Sequence, residues 1–182
     1  MSAVTAEHKK KALDISGISL VLVVVSSSRA KLFREGAEFR DETVEVVKKL
    51  VFEHGIELRD IYYVSDDIHE IRSITLSLAG SVDCILLSGG TGVSPSDVTI
   101  EAITPLLEKE LTGFAVAFHM LSYRAIGSAS ILSRAKAGLL HRTAIFCLPG
   151  SPQAVELALS ELILSELPHI LLHVREKHVE GQ

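Results

Sequence analysis

Several stretches of the chain are almost continuously apolar, and they constrain the fold more than any other feature. Residues 18–25 form one run rich in Val and Leu, and residues 82–87 form a second. A short apolar run with β-branched residues and no polar alternation is typical of a strand covered on both faces. The sequence also predicts strands over residues 57–64 and 143–148.

Segments with helical periodicity lie between the predicted strands. Val44, Val47 and Val51 form one apolar stripe in a predicted helix over residues 41–53, and Gly55 ends it. A second helix is predicted after Ser65 as its N-cap, with two aspartates in its first turn. Further helices are predicted over residues 99–109, over residues 114–123 and from residue 152 onward.

The alternation of strands and helices predicts an α/β domain. We expect a three-layer, Rossmann-like arrangement in which a mostly parallel sheet carries helices on both faces. Residues 30–40 are charged and lack a clear period, so they are predicted to form a long loop. Residues 1–14 are predicted to be a polar arm, residues 15–172 one domain, and residues 173–182 a polar tail.

Charge and cysteine content limit the partners and the compartment. The formal net charge is −5, whereas domains that bind nucleic acid are normally basic, so no nucleic-acid partner is expected. Cys84 and Cys147 lie in apolar runs and are interpreted as buried, reduced thiols. Residues 8–11 and 18–25 weakly resemble a signal peptide, but the apolar run is short. No segment approaches the roughly 20 apolar residues of a membrane span, so we expect a cytoplasmic protein without a membrane partner.

The mean hydropathy of +0.34 is high for a chain of 182 residues. Strands that are buried on both faces account for part of these apolar residues. The remaining apolar residues suggest a subunit interface, for which the candidates are Leu106, Leu107, Leu111, Phe114, Val116 and Phe118.

Polar loops follow three of the predicted strands and should gather at one rim of the sheet. In parallel sheets with helices on both faces, ligands bind beyond the carboxyl ends of the strands. The candidate residues are Ser26, Ser27 and Ser28 after the first strand, Gly89, Gly90, Thr91 and Gly92 after the third, and Pro149 and Gly150 after the last.

The glycine loop has two interpretations at this point. Its exposed backbone amides can surround a phosphate, and a helix start at about Thr99 would add its positive end. It can equally be a tight turn between a strand and a helix. Neither the Walker sequence nor the dinucleotide-binding fingerprint is present.

Asp66 and Asp97 are the candidate catalytic residues. Both follow predicted strands, and two carboxylates at one rim can bind a Mg²⁺ ion. Such a site beside a phosphate-binding loop suits phosphoryl or nucleotidyl transfer. The alternative is that each aspartate caps the helix that follows it.

Two further chemistries have weaker support in the sequence. His169 and His173 are four residues apart on a predicted helix, with His178 nearby, which is a possible zinc arrangement. The three consecutive serines could suggest a hydrolase, but no acidic partner or spacing supports it.

Four ordered motifs resemble the signature of the MoaB/MogA proteins of molybdenum or tungsten cofactor biosynthesis. Residues 87–99 read LSGGTGVSPSDVT, and three later motifs follow in the family's order: LSY at 121–123, LSRA at 132–135 and LPGSPQAV at 148–155. The resemblance extends over residues 18–167, nearly the whole chain.

The resemblance implies a molybdopterin-binding α/β fold and an adenylyltransferase activity. ATP and molybdopterin would be the substrates, adenylylated molybdopterin and pyrophosphate the products, and Mg²⁺ the metal. It also implies a homotrimer or homohexamer, with a molybdate-insertion protein acting downstream. A catalytically weak molybdopterin-binding or carrier oligomer is the alternative, followed by a related nucleotide-processing domain.

The resemblance also assigns roles to residues. Asp66 and Asp97 match the family's functional carboxylates, and residues 89–92 with Ser122, Ser133 and Arg134 match the region that holds molybdopterin. Residues 26–28 with Pro149 and Gly150 would flank the nucleotide, and Arg29, Lys31 and Arg134 could supply positive charge. Ser96, Val116, His119 and residues 40–43 depart from the family pattern.

Overall fold

A single six-stranded sheet forms the centre of the computed structural model, which describes residues 17–175. The strands are β1 (Ser19–Val25), β2 (Glu57–Val64), β3 (Cys84–Ser88), β4 (Lys109–Glu110), β5 (Lys136–Leu140) and β6 (Thr143–Leu148). Their spatial order is β2-β1-β3-β6-β5-β4. The first four strands in this order are parallel, and β5 and β4 extend one edge in antiparallel pairing.

Helices cover both faces of this sheet. They are α1 (Ser27–Arg34), α2 (Glu42–Glu53), α3 (Ile68–Leu78), α4 (Thr99–Ile103), α5 (Thr112–Ile126), α6 (Pro152–Ala158) and α7 (Leu164–Arg175). Short 3₁₀ turns follow α4 at Thr104–Leu106 and α5 at Gly127–Leu132. A π-helical turn, Leu159–Ile163, joins α6 and α7 into one continuous helix.

The side chains of β1 explain why the sequence is so apolar there. Leu20, Leu22 and Val24 face a core formed with α2, α5 and the C-terminal helix. Val21 and Val23 point the other way, into a second core formed with α3 and α4. The predicted three-layer, mostly parallel fold is confirmed.

The two cysteines lie in different cores. Cys84 packs on the side of α2, and Cys147 packs on the side of α3, so the sheet separates them. Both are buried and free, as expected. Burial raises the pKa of both thiols, to about 12 for Cys147, so neither is a reactive thiolate at neutral pH.

The long loop predicted over residues 30–40 is wrong, because most of its first half belongs to α1. Ser26 is the N-cap of this helix, and its hydroxyl accepts a hydrogen bond from the amide of Arg29. Only Ala30 of the helix is buried, so no apolar stripe marks the helix in the sequence.

The predicted N-cap of the next helix is also wrong. Asp67, not Ser65, caps α3, and its carboxylate accepts a hydrogen bond of 2.8 Å from the amide of Glu70. Asp66 therefore lies outside the helix, in the loop at the rim of the sheet.

The helix predicted over residues 99–109 ends early. Helix α4 stops at Ile103, and the chain passes through a 3₁₀ turn into β4. Pro105 has no amide hydrogen to donate to the carbonyl of Glu101, which accepts instead from Arg72.

The expectation that no segment is long enough to span a membrane is wrong on length. The continuous helix Pro152–Arg175 has 24 residues, and an 18-residue window in it has a mean hydropathy of 1.4. Its buried side chains, among them Leu159, Ile163 and Leu167, pack in the core beside the sheet. A core helix passes the same test of length and composition, so this helix is weak evidence for a span.

The predicted division of the chain at residues 14 and 172 stays a prediction. Residues 1–16 and 176–182, which include most of the proposed arm and tail, lie outside the described residues. Helix α7 continues through Arg175, three residues past the predicted domain end.

Candidate functional site

The loops that follow β1, β2, β3 and β6 meet at one rim of the sheet because these four strands are parallel. They carry, in turn, Ser27, Asp66, the glycines of residues 89–92, and Pro149 with Gly150. This is the edge at which open α/β sheets bind ligands. The sequence-based prediction of a common rim is confirmed in its topology.

Asp66 is held by the loop after β1. Its Oδ2 atom accepts hydrogen bonds from the amide and the hydroxyl of Ser27, at 2.8 and 2.7 Å. The Ser27 hydroxyl in turn accepts one from the amide of Asp66 at 3.0 Å. These reciprocal bonds fix the carboxylate at the start of α1.

The glycine loop approaches its neighbours too closely for a side chain at Gly89 and at Gly90, and Gly92 is similarly crowded. Gly89 has a φ of 113°, and a Cβ there would lie 2.2 Å from the carbonyl oxygen of Val25. At Gly90 a Cβ would lie 2.5 Å from the hydroxyl of Thr99 and 3.5 Å from Oδ1 of Asp66. The loop therefore passes directly beside the Asp66 carboxylate.

Thr99 anchors this first half of the loop. Its hydroxyl donates to the carbonyl of Gly89 at 2.7 Å, and its amide donates to the carbonyl of Gly90 at 2.9 Å. The Gly89 amide is already used, because it donates to the carbonyl of Leu148. The sequence places Thr99 at the start of the following helix and in the same motif as Asp97, but it did not indicate this anchoring contact.

Asp97 lies at the other end of the loop. Its Oδ2 atom accepts a hydrogen bond of 2.8 Å from the amide of Ser94, and a Cβ on Gly92 would lie 2.7 Å from the same oxygen. Helix α4 begins after Val98, with no side-chain capping bond. The capping alternative is therefore wrong for Asp97, as it is for Asp66.

A cleft of about 280 Å³ opens beside the glycine loop. Its lining brings together eight of the predicted site residues: Gly90, Thr91, Gly92, Asp97, Ser122, Ser133, Pro149 and Gly150. The lining also includes apolar side chains that the sequence analysis did not place at the site: Phe118, Ile126, Ala129, Leu132 and Ala154. A cleft that combines apolar side chains with a few polar groups suits a partly polar small ligand.

The hydroxyl of Ser133 lines this cleft and is buried without a hydrogen-bond partner in the protein. A buried polar atom left unpaired costs about 1–3 kcal/mol, so a water molecule or a polar group of a bound ligand would be favoured there. His119 supports this segment from behind. Its Nε2 atom lies 2.8 Å from the carbonyl of Ser133, and its Nδ1 atom lies 2.6 Å from the carbonyl of Ala115.

Six predicted site residues do not line the cleft: Ser26, Ser27, Ser28, Asp66, Gly89 and Arg134. The three serines and Asp66 lie beyond Gly90, on the neighbouring part of the rim. Arg134 does not line the cleft and instead donates hydrogen bonds to the carbonyls of Gly92 and Asp97 in the loop.

The cations expected to help at the site are paired within the protein. Arg29 lies 3.2 Å from the buried carboxylate of Asp41, and Lys31 lies 3.9 Å from Glu35. Arg134 pairs with Glu101, and their hydrogen bond lowers the pKa of Glu101 and raises that of Arg134.

The described part of the chain contains no group of three or more His, Cys, Asp or Glu side chains arranged to hold a metal ion. Asp66 lies near Gly90 and Asp97 lies near Gly92. In the zinc alternative, the Nε2 atoms of His169 and His173 are 3.1 Å apart, and His178 lies outside the described residues.

Comparison with known proteins identifies the same family as the four sequence motifs. The sequence profile of the MoCF_biosynth family, described as a probable molybdopterin binding domain, matches residues 22–169. Molybdenum cofactor biosynthesis protein B of Bacillus subtilis is 39% identical over 173 residues, covering 93% of this chain and 96% of that protein. A protein of Methanocaldococcus jannaschii named probable molybdopterin adenylyltransferase is also 39% identical, over 93% of this chain and 99% of its own length.

Solved structures agree with the sequence comparison. A crystal structure of molybdenum cofactor biosynthesis protein B superposes with a TM-score of 0.80 at 36% identity, covering 89% of this chain and 98% of that one. The tungsten cofactor synthesizing protein MoaB from Pyrococcus furiosus superposes with a TM-score of 0.77 at 34% identity, covering 89% and 99%. Fold, site motifs and relatives together show that this chain belongs to the MoaB/MogA family of probable molybdopterin binding domains.

Proposed function

We propose that this protein is a cytoplasmic molybdopterin adenylyltransferase that acts in the synthesis of the molybdenum or tungsten cofactor. The observation that carries the proposal is the cleft itself. It assembles the four ordered motifs, with one candidate carboxylate beside Gly90 and the other beside Gly92. A relative 39% identical over nearly the whole chain bears the name probable molybdopterin adenylyltransferase.

In the proposed reaction, a terminal phosphate oxygen of molybdopterin attacks the α-phosphorus of ATP. A new phosphorus–oxygen bond forms, the bond from the α-phosphorus to the bridging oxygen breaks, and pyrophosphate leaves with that electron pair. The protein would act mainly by holding the two phosphates in line.

The polar and the apolar lining residues of the cleft would contact different parts of the substrates. The backbone of residues 90–92 would bind phosphate, and the unpaired hydroxyl of Ser133, with that of Ser122, would bind polar edges of the pterin. The apolar side chains of the cleft lining would cover the pterin ring. Residues 26–28 with Pro149 and Gly150 would flank the nucleotide.

Asp66 and Asp97 are the residues that would hold Mg²⁺. Ser27 engages Oδ2 of Asp66, and Ser94 engages Oδ2 of Asp97, while Oδ1 of Asp66 lies toward Gly90. Hard oxygen ligands beside a phosphate-binding loop suit this ion, which would offset charge on the departing pyrophosphate.

We also propose a homotrimer or homohexamer, with a molybdate-insertion protein receiving the product. The support is an exposed apolar patch on α5 and the turn after it, formed by Val116, Met120, Tyr123 and Ile131. Of the interface residues suggested by the sequence, only Val116 is in this patch. Phe118 is buried, and Leu106, Leu107, Leu111 and Phe114 pack against the core.

A catalytically weak molybdopterin-binding or carrier oligomer is the second candidate. The observation that favours it is that no Lys or Arg lines the cleft among residues 17–175, the part of the chain that the structure describes. Arg134 donates a hydrogen bond to the carbonyl of Gly92. Ser96, which departs from the family pattern, carries no charge, and its hydroxyl lies 3.0 Å from that of Ser94.

The test is a product assay with the wild-type protein, Mg-ATP and molybdopterin. We expect adenylylated molybdopterin and pyrophosphate in equal amounts, and loss of both in Asp66→Ala and Asp97→Ala. Asp60→Ala, which removes an exposed carboxylate from β2, is the control and should keep the wild-type rate. Tight pterin binding without product would favour the carrier, and absence of both would contradict the family function.

A further inference from the structure

Arg134 holds the second half of the glycine loop. Its Nε atom donates to the carbonyl of Gly92 at 2.8 Å, and its Nη2 atom donates to the carbonyl of Asp97 at 3.0 Å. Its backbone amide donates to the carbonyl of Thr91 at 3.0 Å. One residue thus bridges the two ends of the segment that carries the Asp97 carboxylate.

The two halves of the loop are held by different residues. Thr99 fixes the carbonyls of Gly89 and Gly90, whereas Arg134 fixes those of Gly92 and Asp97. A change that loosens only the second half should therefore displace Asp97 and leave Gly90 in place.

Glu101 determines where the Arg134 guanidinium lies. Its two carboxylate oxygens accept from Nη1 and Nη2 of Arg134. This paired geometry suits a planar guanidinium and leaves Nε directed at Gly92. Glu101 is itself fixed from α3, because Arg72 donates to the carbonyls of Glu101 and Ala102 at 3.1 and 3.0 Å.

We propose that Glu101 is a positioning residue for adenylyl transfer, which holds Arg134 against the second half of the loop and so sets the place of the Asp97 carboxylate. The inference rests on the proposed function, since it assigns Asp97 a part in that reaction. It also changes the role of Arg134 from a direct contact with substrate to a contact with the loop.

The experiment compares Glu101→Gln, Arg134→Lys and the double variant with wild-type protein. Glutamine keeps the size of the side chain but removes the charge, and lysine cannot reach Gly92, Asp97 and Glu101 at once. We expect kcat to fall about tenfold in Glu101→Gln, with the KM for molybdopterin changed less than about twofold. The double variant should be no slower than the slower single variant, because both changes act through one contact.

Amide hydrogen exchange provides a readout that does not depend on activity. Exchange of residues 91–98 should accelerate in Glu101→Gln, while the segment around Ser27 and Asp66 should exchange as in wild type. Glu45→Gln is the matched control, because Glu45 of α2 forms a similar paired contact with Arg40, and neither residue lines the cleft.

The outcomes separate this inference from the proposed function. If the wild-type protein makes no product, the proposed function fails, and the exchange data still decide whether Glu101 holds the loop. Unchanged kcat and unchanged exchange in Glu101→Gln would overturn the positioning role. Tighter molybdopterin binding at constant kcat would also overturn it, because Arg134 would then be a substrate cation that Glu101 restrains.

Discussion

Single atoms decide the geometry of the glycine loop, and Gly92 is the residue at which this is easiest to test. A Cβ there would lie 2.7 Å from Oδ2 of Asp97 and must displace that carboxylate. We expect Gly92→Ala to lower kcat for adenylylation about tenfold or more, because small misplacements of a reacting group are costly. The assay is steady-state product formation, with thermal unfolding measured in parallel.

Gly113→Ala is the matched control for this change. A Cβ at Gly113 meets no atom within 4 Å, so the variant should keep both rate and stability. Equal activity in the two variants would show that the Asp97 position does not limit the reaction.

Thr99 supports a prediction about stability at the same scale. Its hydroxyl is buried and donates to the carbonyl of Gly89, and valine of similar shape would leave that carbonyl unpaired. Urea denaturation should show that Thr99→Val loses about 1–3 kcal/mol of unfolding free energy, while Thr99→Ser loses less. An equal loss in both variants would mean that packing of the methyl group, not the hydrogen bond, dominates.

At the scale of elements, Asp83 joins the starts of β1 and β3 to the end of α7. Its carboxylate accepts from the amide and hydroxyl of Ser19, both at 2.9 Å, and from Arg175 at 2.5 Å. Partial burial raises the pKa of Asp83, but the hydrogen bonds from Arg175 and Ser19 outweigh it, so the pKa lies below the ordinary value of 3.8.

A carboxyl whose pKa is lowered by folding stabilises the protein above its unfolded pKa, and this contribution disappears as the pH falls through its folded pKa. Asp83→Asn should therefore lower the unfolding free energy at about pH 7, and the difference from wild type should shrink toward about pH 3. Urea titrations at several pH values measure this. A difference that stays constant with pH would contradict a charge-dependent contribution.

At the scale of the whole molecule, α5 packs with one face against the core and leaves apolar side chains of another face exposed. Ile131 is 74% exposed and Met120 57% exposed within the patch on α5 and its following turn. Contiguous apolar surface of this kind marks protein interfaces. Multi-angle light scattering of the wild-type protein should give a multiple of the 19.7 kDa chain mass, and Met120→Asp combined with Ile131→Asp should lower it.

Phe52→Asp is the control for this double variant. Phe52 is 84% exposed on α2 and lies outside the patch. Replacing this exposed apolar side chain with aspartate should therefore leave the mass unchanged. A wild-type protein that scatters as a monomer would contradict the proposed oligomer.

Local patterns in the sequence determined most of the fold and the rim of the site. The apolar runs identified β1, β3 and β6, because a strand buried on both faces needs apolar side chains at every position. Parallel pairing then placed Asp66, the glycine loop and Pro149 at one edge. Helix α1 was missed because it buries only Ala30, so its formation depends on the Ser26 cap rather than on a periodic stripe.

The tertiary structure alone decided the direction of individual side chains. The motif containing Arg134 could be read from the sequence, but its orientation toward Gly92 and Asp97 depends on Glu101, 33 residues earlier. The same holds for α5, in which Val116 is exposed, as expected of an interface residue, whereas Phe118 is buried, contrary to that expectation. Periodicity shows that a helix has an apolar face, whereas contacts between distant segments determine which residues that face buries and which remain for a partner.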